Sequence, residues 1–122
     1  MFVKRITVSV HATDELSRAR FVRRLRELPE VRVVRGPGDV EVVLMGADDA
    51  AAAAELRRRA RDGGAPVVLV AEELGETELM AVAEYGVRSV LWNRRLTQGR
   101  LARAVHAAAG CCPRLPLVTA LM

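Results

Sequence analysis

The stretch Val40–Gly46, written VEVVLMG, decides the architecture. A strand so nearly apolar throughout has no polar face to turn to water, which is the mark of a parallel sheet covered on both sides. The segment Val67–Val70 (VVLV) repeats the pattern. Working outward, Val3–Val10 (VKRITVSV) alternates apolar and polar residues and is rich in β-branched types, so it reads as the first strand. Val31–Val34 is a short second strand and Ser89–Trp92 a fifth.

Helical patterns fall between the strands. Thr13 is placed to cap a first helix whose opening turn holds Asp14 and Glu15, where the helix dipole favours acids. Phe21, Val22, Leu25 and Leu28 share one face of it and Pro29 ends it. Asp48 or Asp49 caps a helix from Ala50 to about Arg61, closed by Gly63-Gly64. A further helix is expected from about Thr77 to Tyr85, stopped by Gly86. Thr97 caps the last, in which Leu101, Ala104, Val105 and Ala108 form an apolar stripe.

Strands alternating with helices argue a doubly wound α/β sheet. One connection departs from that plan. Only Arg35-Gly36-Pro37-Gly38-Asp39 separates the second and third strands, too little for a crossover helix. Either an extended segment crosses the sheet, or the two strands form a hairpin about the Gly-Pro-Gly turn. The steps from Val34 to Val40 reach about 20 Å, enough for the parallel crossing, which is the preferred reading.

Composition bounds the function. A chain of 122 residues, 51% apolar and 28% charged, has room for one folded domain with a real core. No apolar run is long enough to span a membrane and the N-terminus is not a signal peptide, so the expected location is cytoplasmic. The net charge is +4, with Lys4 the single lysine among 19 basic residues. These arginines are interleaved with carboxylates, and Phe2, Phe21, Tyr85 and Trp92 are too few to build a stacking platform for single-stranded nucleic acid. Adjacent Cys111 and Cys112 close no stabilising loop and read as reduced thiols in a tail. His11 and His106 are far apart, and no metal set is expected. The chain holds no GxGxxG, Walker A or GxSxG motif, and no enzyme is expected.

The order of elements, the VVLM run at Val42–Met45, the PVVLVA segment at Pro66–Ala71 and the YGV turn at Tyr85–Val87 resemble a response-regulator receiver domain. The likeness is nearest to the receivers of actinobacterial regulators that carry a LuxR-type helix-turn-helix. It covers about residues 3 to 109. It implies a flavodoxin-like five-stranded sheet of order 2-1-3-4-5, here with the helix between strands 2 and 3 missing. The expected domain is 1–110, with 111–122 a tail or the start of a linker.

The resemblance also implies a chemistry that this sequence cannot perform. Receivers transfer a phosphoryl group to an aspartate ending the third strand, beside an acid pair that holds magnesium, a Ser or Thr after the fourth strand and a Lys after the fifth. Metal and ammonium are needed because the phosphoryl group is tri-anionic. In this chain the acceptor position matches Gly46, the acid pair falls on His11-Ala12 or Ala12-Thr13, the hydroxyl matches Ala71 and the lysine matches Asn93. Asp14, Glu15, Asp48 and Asp49 lie nearby, but capping of helix N-termini accounts for them. The resemblance is therefore to an atypical, phosphorylation-independent receiver with no cofactor.

Two functions follow as expectations. One is a dimerisation and regulatory module of a transcription regulator, pairing through Leu79, Met80, Val82, Tyr85, Arg88, Arg95 and Arg103. The other is a small-molecule sensor using the vacated pocket, with His11, Asn93 and Arg94 as ligand contacts. Beyond the receiver-like part only GCCPRLPLVTALM remains, too short for a helix-turn-helix domain, so DNA would be reached only through a domain absent from this chain.

Overall fold

The computed structural model describes residues 5–46, 49–62, 64–72 and 87–110. In chain order these form β1 (Ile6–His11), α1 (Glu15–Arg26), β2 (Val31–Val33), β3 (Val40–Met45), α2 (Ala50–Asp62), β4 (Val67–Ala71) and β5 (Val87–Trp92). A short 3-10 turn (Asn93–Arg95) leads into α3 (Gln98–Gly110). The helix expected from Thr77 to Tyr85 lies outside the described residues, as does the tail from Cys111.

All strand pairs are parallel and the sheet order is β2-β1-β3-β4-β5, as the resemblance implied. The hairpin alternative is excluded. Val8 is the register partner of Val33 on one side and of Val40 on the other. The connection therefore has no length of strand to retrace; it steps sideways over β1 by two strand spacings, roughly 10 Å. Residues 34–39 manage this on the strength of close approach. A Cβ on Gly38 would stand 2.9 Å from the Thr7 carbonyl oxygen. The Asp39 amide donates to Thr7 Oγ1 (2.9 Å), and the Thr7 amide donates back to the Asp39 carboxylate (3.1 Å).

The sheet is covered on both faces, which is why β3 and β4 are so apolar. Val8, Val10, Val40, Val42, Val68 and Val70 pack against Phe21, Val22 and Leu25 of α1 and Leu101, Ala104, Val105 and Ala108 of α3. On the other face Val43, Met45, Val67, Leu69 and Ala71 meet Ala52 and Leu56 of α2. Each fully buried Val or Leu contributes about 1.5–3 kcal/mol of transfer free energy.

The helix starts correct one expectation. Thr13 does not cap α1: the N-cap is Asp14, whose carboxylate accepts from the amides of Leu16 and Ser17. Both residue types suit the position, and Thr13 is instead drawn to Asp49 (3.0 Å). Asp49 caps α2 by accepting from the Ala52 amide (3.0 Å), and Thr97 caps α3 by accepting from the Arg100 amide (3.1 Å). Gly64, just beyond α2, has φ +120°, a conformation that glycine adopts without strain.

Candidate functional site

The strand order reverses direction between β1 and β3, so the carboxyl ends of these strands bound a crevice. A cleft of about 460 Å³ lies there. Ala12, Thr13, Gly46 and Asn93, four of the residues singled out from sequence, line it together with Asp49 and Glu72. Ala71 is fully buried beneath, and the next residue, Glu72, takes its place at the rim. A Cβ on Gly46 would lie 3.7 Å from the Glu72 carboxylate. Arg94 is exposed in the 3-10 turn, and the cations lining the cleft are Arg20 and Arg24 of α1. Arg24 is held there by its hydrogen bond to the Leu96 carbonyl (3.1 Å) and by Gln98, which donates to the Arg24 carbonyl (2.9 Å).

Asp49 is the carboxylate nearest to a functional placement, and it is fully engaged. Its oxygens accept from Thr13 Oγ1 (3.0 Å), the Ala52 amide (3.0 Å) and the Gly46 amide (3.3 Å). Partial burial works against its charge, but the amides of Ala52 and Gly46 and the Thr13 hydroxyl outweigh that and hold it below the usual carboxylate range. Asp14 is likewise lowered, chiefly by the Ser17 hydroxyl and amide. Both acids act as helix caps. Among the described residues no group of three or more His, Cys, Asp or Glu side chains is arranged to hold a metal ion. Asp48 lies outside the described residues.

His11 does not line this cleft; it lines an adjoining one of about 370 Å³, with Ala12 and Thr13. On β1 it shares a face with Thr7 and Ser9, opposite Val8 and Val10, and turns toward α2. There its Nε2 lies 2.6 Å from Glu41 Oε1. Glu41 is a feature missed in the apolar reading of β3: a carboxylate with only 3% of its surface exposed. It accepts from the Gly38 amide (2.9 Å) and pairs with Arg59 Nη1 of α2 (2.9 Å). Burial opposes its ionisation, yet His11, the Gly38 amide and Arg59 together lower its pKa. Arg59 in turn has Nε 2.8 Å from Glu55 Oε2, an ion pair off the hydrogen-bonding direction, and Glu55 also binds Arg58 Nη2 (2.6 Å). His11 Nε2 is also 2.8 Å from Arg59 Nη2. One ring nitrogen thus faces a carboxylate and a guanidinium, and in either protonation state it serves only one of them. The signal in the sequence was a lone acid inside an apolar strand, with Arg57-Arg58-Arg59 on the helix that follows.

No protein-family model matches the chain, and no curated protein sequence does. Solved structures do. A pilus assembly-related protein of Burkholderia pseudomallei superposes with a TM-score of 0.74 at 24% identity, covering 92% of this chain and 95% of that one. A pilus assembly protein of Burkholderia thailandensis gives 0.71 at 24% identity, covering 85% and 98%. The signal receiver domain of the response regulator NarL from Mycobacterium tuberculosis gives 0.67 at 20% identity, covering 89% and 99%.

The fold is the receiver fold.

Within that fold the positions matched from sequence can be located. Gly46 follows β3, where the family places its acceptor, and Asn93 follows β5, where the family places its lysine. Ala12 and Thr13 follow β1, while His11 ends that strand and belongs to the Glu41 cluster. Of the residues proposed for pairing, Arg95 and Arg103 are exposed. Leu79, Met80, Val82 and Tyr85 lie outside the described residues, as does the side chain of Arg88. His106, on the outward face of α3, pairs with Glu30 (2.6 Å). No helix among the described residues is long and apolar enough to cross a membrane.

Proposed function

We propose that this chain is a receiver-fold regulatory module that works without aspartyl phosphorylation and acts by pairing with a second copy of itself in a transcription regulator. The observation that carries it is Gly46: the acceptor position has no side chain, and the nearest described carboxylate on that loop, Asp49, is tied into three hydrogen bonds. Beryllofluoride with magnesium, a mimic of an aspartyl phosphate, tests this by thermal melting. The expected result is no shift in melting temperature, because only a ligand of the folded form raises it. A metal-dependent rise, abolished by Asp48→Ala or Asp49→Ala, overturns the reading. Sedimentation of the chain and of an Arg103→Glu variant tests the pairing; a monomer at all concentrations rejects it.

The second reading is small-molecule sensing at the carboxyl edge of the sheet. Its support is the presence of two adjoining clefts, of about 460 and 370 Å³, in the size range of ligand sites. As to what is regulated, the overlay on the two pilus assembly structures has a higher TM-score than that on NarL, which supports pilus assembly as an output beside transcription. Scoring a gene deletion for piliation and for transcript changes separates these.

A further inference from the structure

The smaller cleft is distinct from the vacated acceptor pocket. It lies on the other side of Thr13, between the end of β1 and the first turns of α1 and α2. It exists because α2 begins with small residues: Ala51 and Ala52 leave open the space over Val10, Val43 and Leu44. That gives an apolar floor with room for a compact body.

The ionisable groups in its wall are His11, Glu55 and Arg18, and they are unequally engaged. His11 is held by Glu41 (2.6 Å) and Arg59 (2.8 Å). Glu55 stands in the wall, but it is neutralised by Arg58 (2.6 Å) and Arg59 (2.8 Å). Arg18 stands opposite and is half-buried. Its Nε donates to the Val10 carbonyl (3.2 Å), which fixes the side chain, and its Nη1 is ion-paired only loosely, beyond hydrogen-bond distance. Among the described residues the only carboxylate close to it is that of Glu15, 3.6 Å away and 81% exposed. A guanidinium pinned through Nε at the edge of an apolar pocket presents two parallel N–H donors, the geometry that suits a carboxylate.

We propose that this cleft binds a small monocarboxylate with an apolar body, its carboxylate on Arg18 and its body over Val43 and Leu44. The proposal rests on the sensing reading and gives it a ligand class and a place.

The test uses the full chain with hexanoate and benzoate, and with hexylamine and benzylamine as cationic counterparts of the same shape. Melting curves and ¹H–¹⁵N spectra are recorded at millimolar ligand. The carboxylates are expected to raise the melting temperature and to shift the amides of Ala12, Thr13, Ala51 and Ala52 saturably. The amines are expected to do neither. Arg18→Gln should abolish the effect. Ala51→Leu, an exposed helical position where leucine is well tolerated, should fill the cleft and abolish it while the protein still melts cooperatively. Equal binding of amines, or carboxylate shifts that persist in Ala51→Leu, overturns the proposal. Shifts confined to Gly46, Glu72 and Asn93 overturn the cleft but leave sensing intact. No shift with any probe at either cleft rejects both.

Discussion

Glu41 Oε1 stands 2.6 Å from His11 Nε2 and thereby joins β3 to the end of β1 on the very face that the chain crosses without a helix. A crossover helix would normally roof this part of a parallel sheet. Here the Gly38 amide, the His11 ring and the Arg59 guanidinium close over Glu41 instead. The ion-paired set thus replaces a packed helix with polar contacts that are strong only together.

Breaking the set from one side should be costly. Glu41→Ala leaves Arg59 and His11 without their shared carboxylate, and a loss of about 3–5 kcal/mol is expected. Replacing both partners, in Glu41→Leu with Arg59→Leu, should recover most of it, since apolar residues of similar volume remove the buried charges altogether. Urea denaturation of the two variants checks this; equal losses would show that the pair is not coupled.

Acid should destabilise the protein. The pKa values of Glu41, Asp49 and Glu55 are all lowered by folding. Their contribution is therefore complete above the ordinary carboxylate range and is lost as pH falls through their lower folded values. Melting temperature should hold from neutral pH into that range and then drop. Asp49→Asn should melt lower at neutral pH and show a shallower drop, and parallel profiles for the two proteins would contradict this.

Gly38 and Gly36 are separated by one residue and should respond differently. A methyl group at Gly38 meets the Thr7 carbonyl at 2.9 Å, a backbone atom that cannot swing aside. Gly38→Ala should cost about 1–3 kcal/mol. A Cβ at Gly36 meets nothing within 4 Å, so Gly36→Ala should stay within about 0.5 kcal/mol of the parent. Chemical denaturation distinguishes them.

Restoring the acceptor alone should not restore the switch. The space at Gly46 admits an aspartate, with Glu72 Oε2 at ordinary contact distance. Yet Gly46→Asp places a carboxylate between Glu72 and Asp49 without adding a lysine at Asn93 or a metal-binding pair. The variant should fold and show no beryllofluoride-dependent rise in melting temperature. A rise would mean that the remaining residues supply the missing charge.

The sheet was legible because β3 and β4 carry their burial in their composition, and the helices because their caps and stripes are local. The crossing at residues 34–39 was not settled by sequence, since its length fits a hairpin as well as a sideways step. What decides it is Val8 lying between Val33 and Val40, a register between segments distant in the chain. Thr13 and Asp14 are both good caps one residue apart, so only geometry separates them. His11 was assigned to the vacated pocket by its position after β1, although the alternation Thr7, Ser9, His11 already set it on the opposite face from Val10. Glu41 escaped notice because only Gly38 among its partners is close in sequence, while His11 of β1 and Arg59 of α2 are distant in the chain.

The brevity of β2 has a consequence for assembly. Its span Val31–Val33 forms one border of the sheet, with Val31 buried beneath and Arg32 exposed at its centre. A short border carrying a charge offers little template for an incoming strand, so growth by sheet-to-sheet addition is blocked on that side. A second molecule approaching there has to be recognised by side chains, not by a shared backbone ladder.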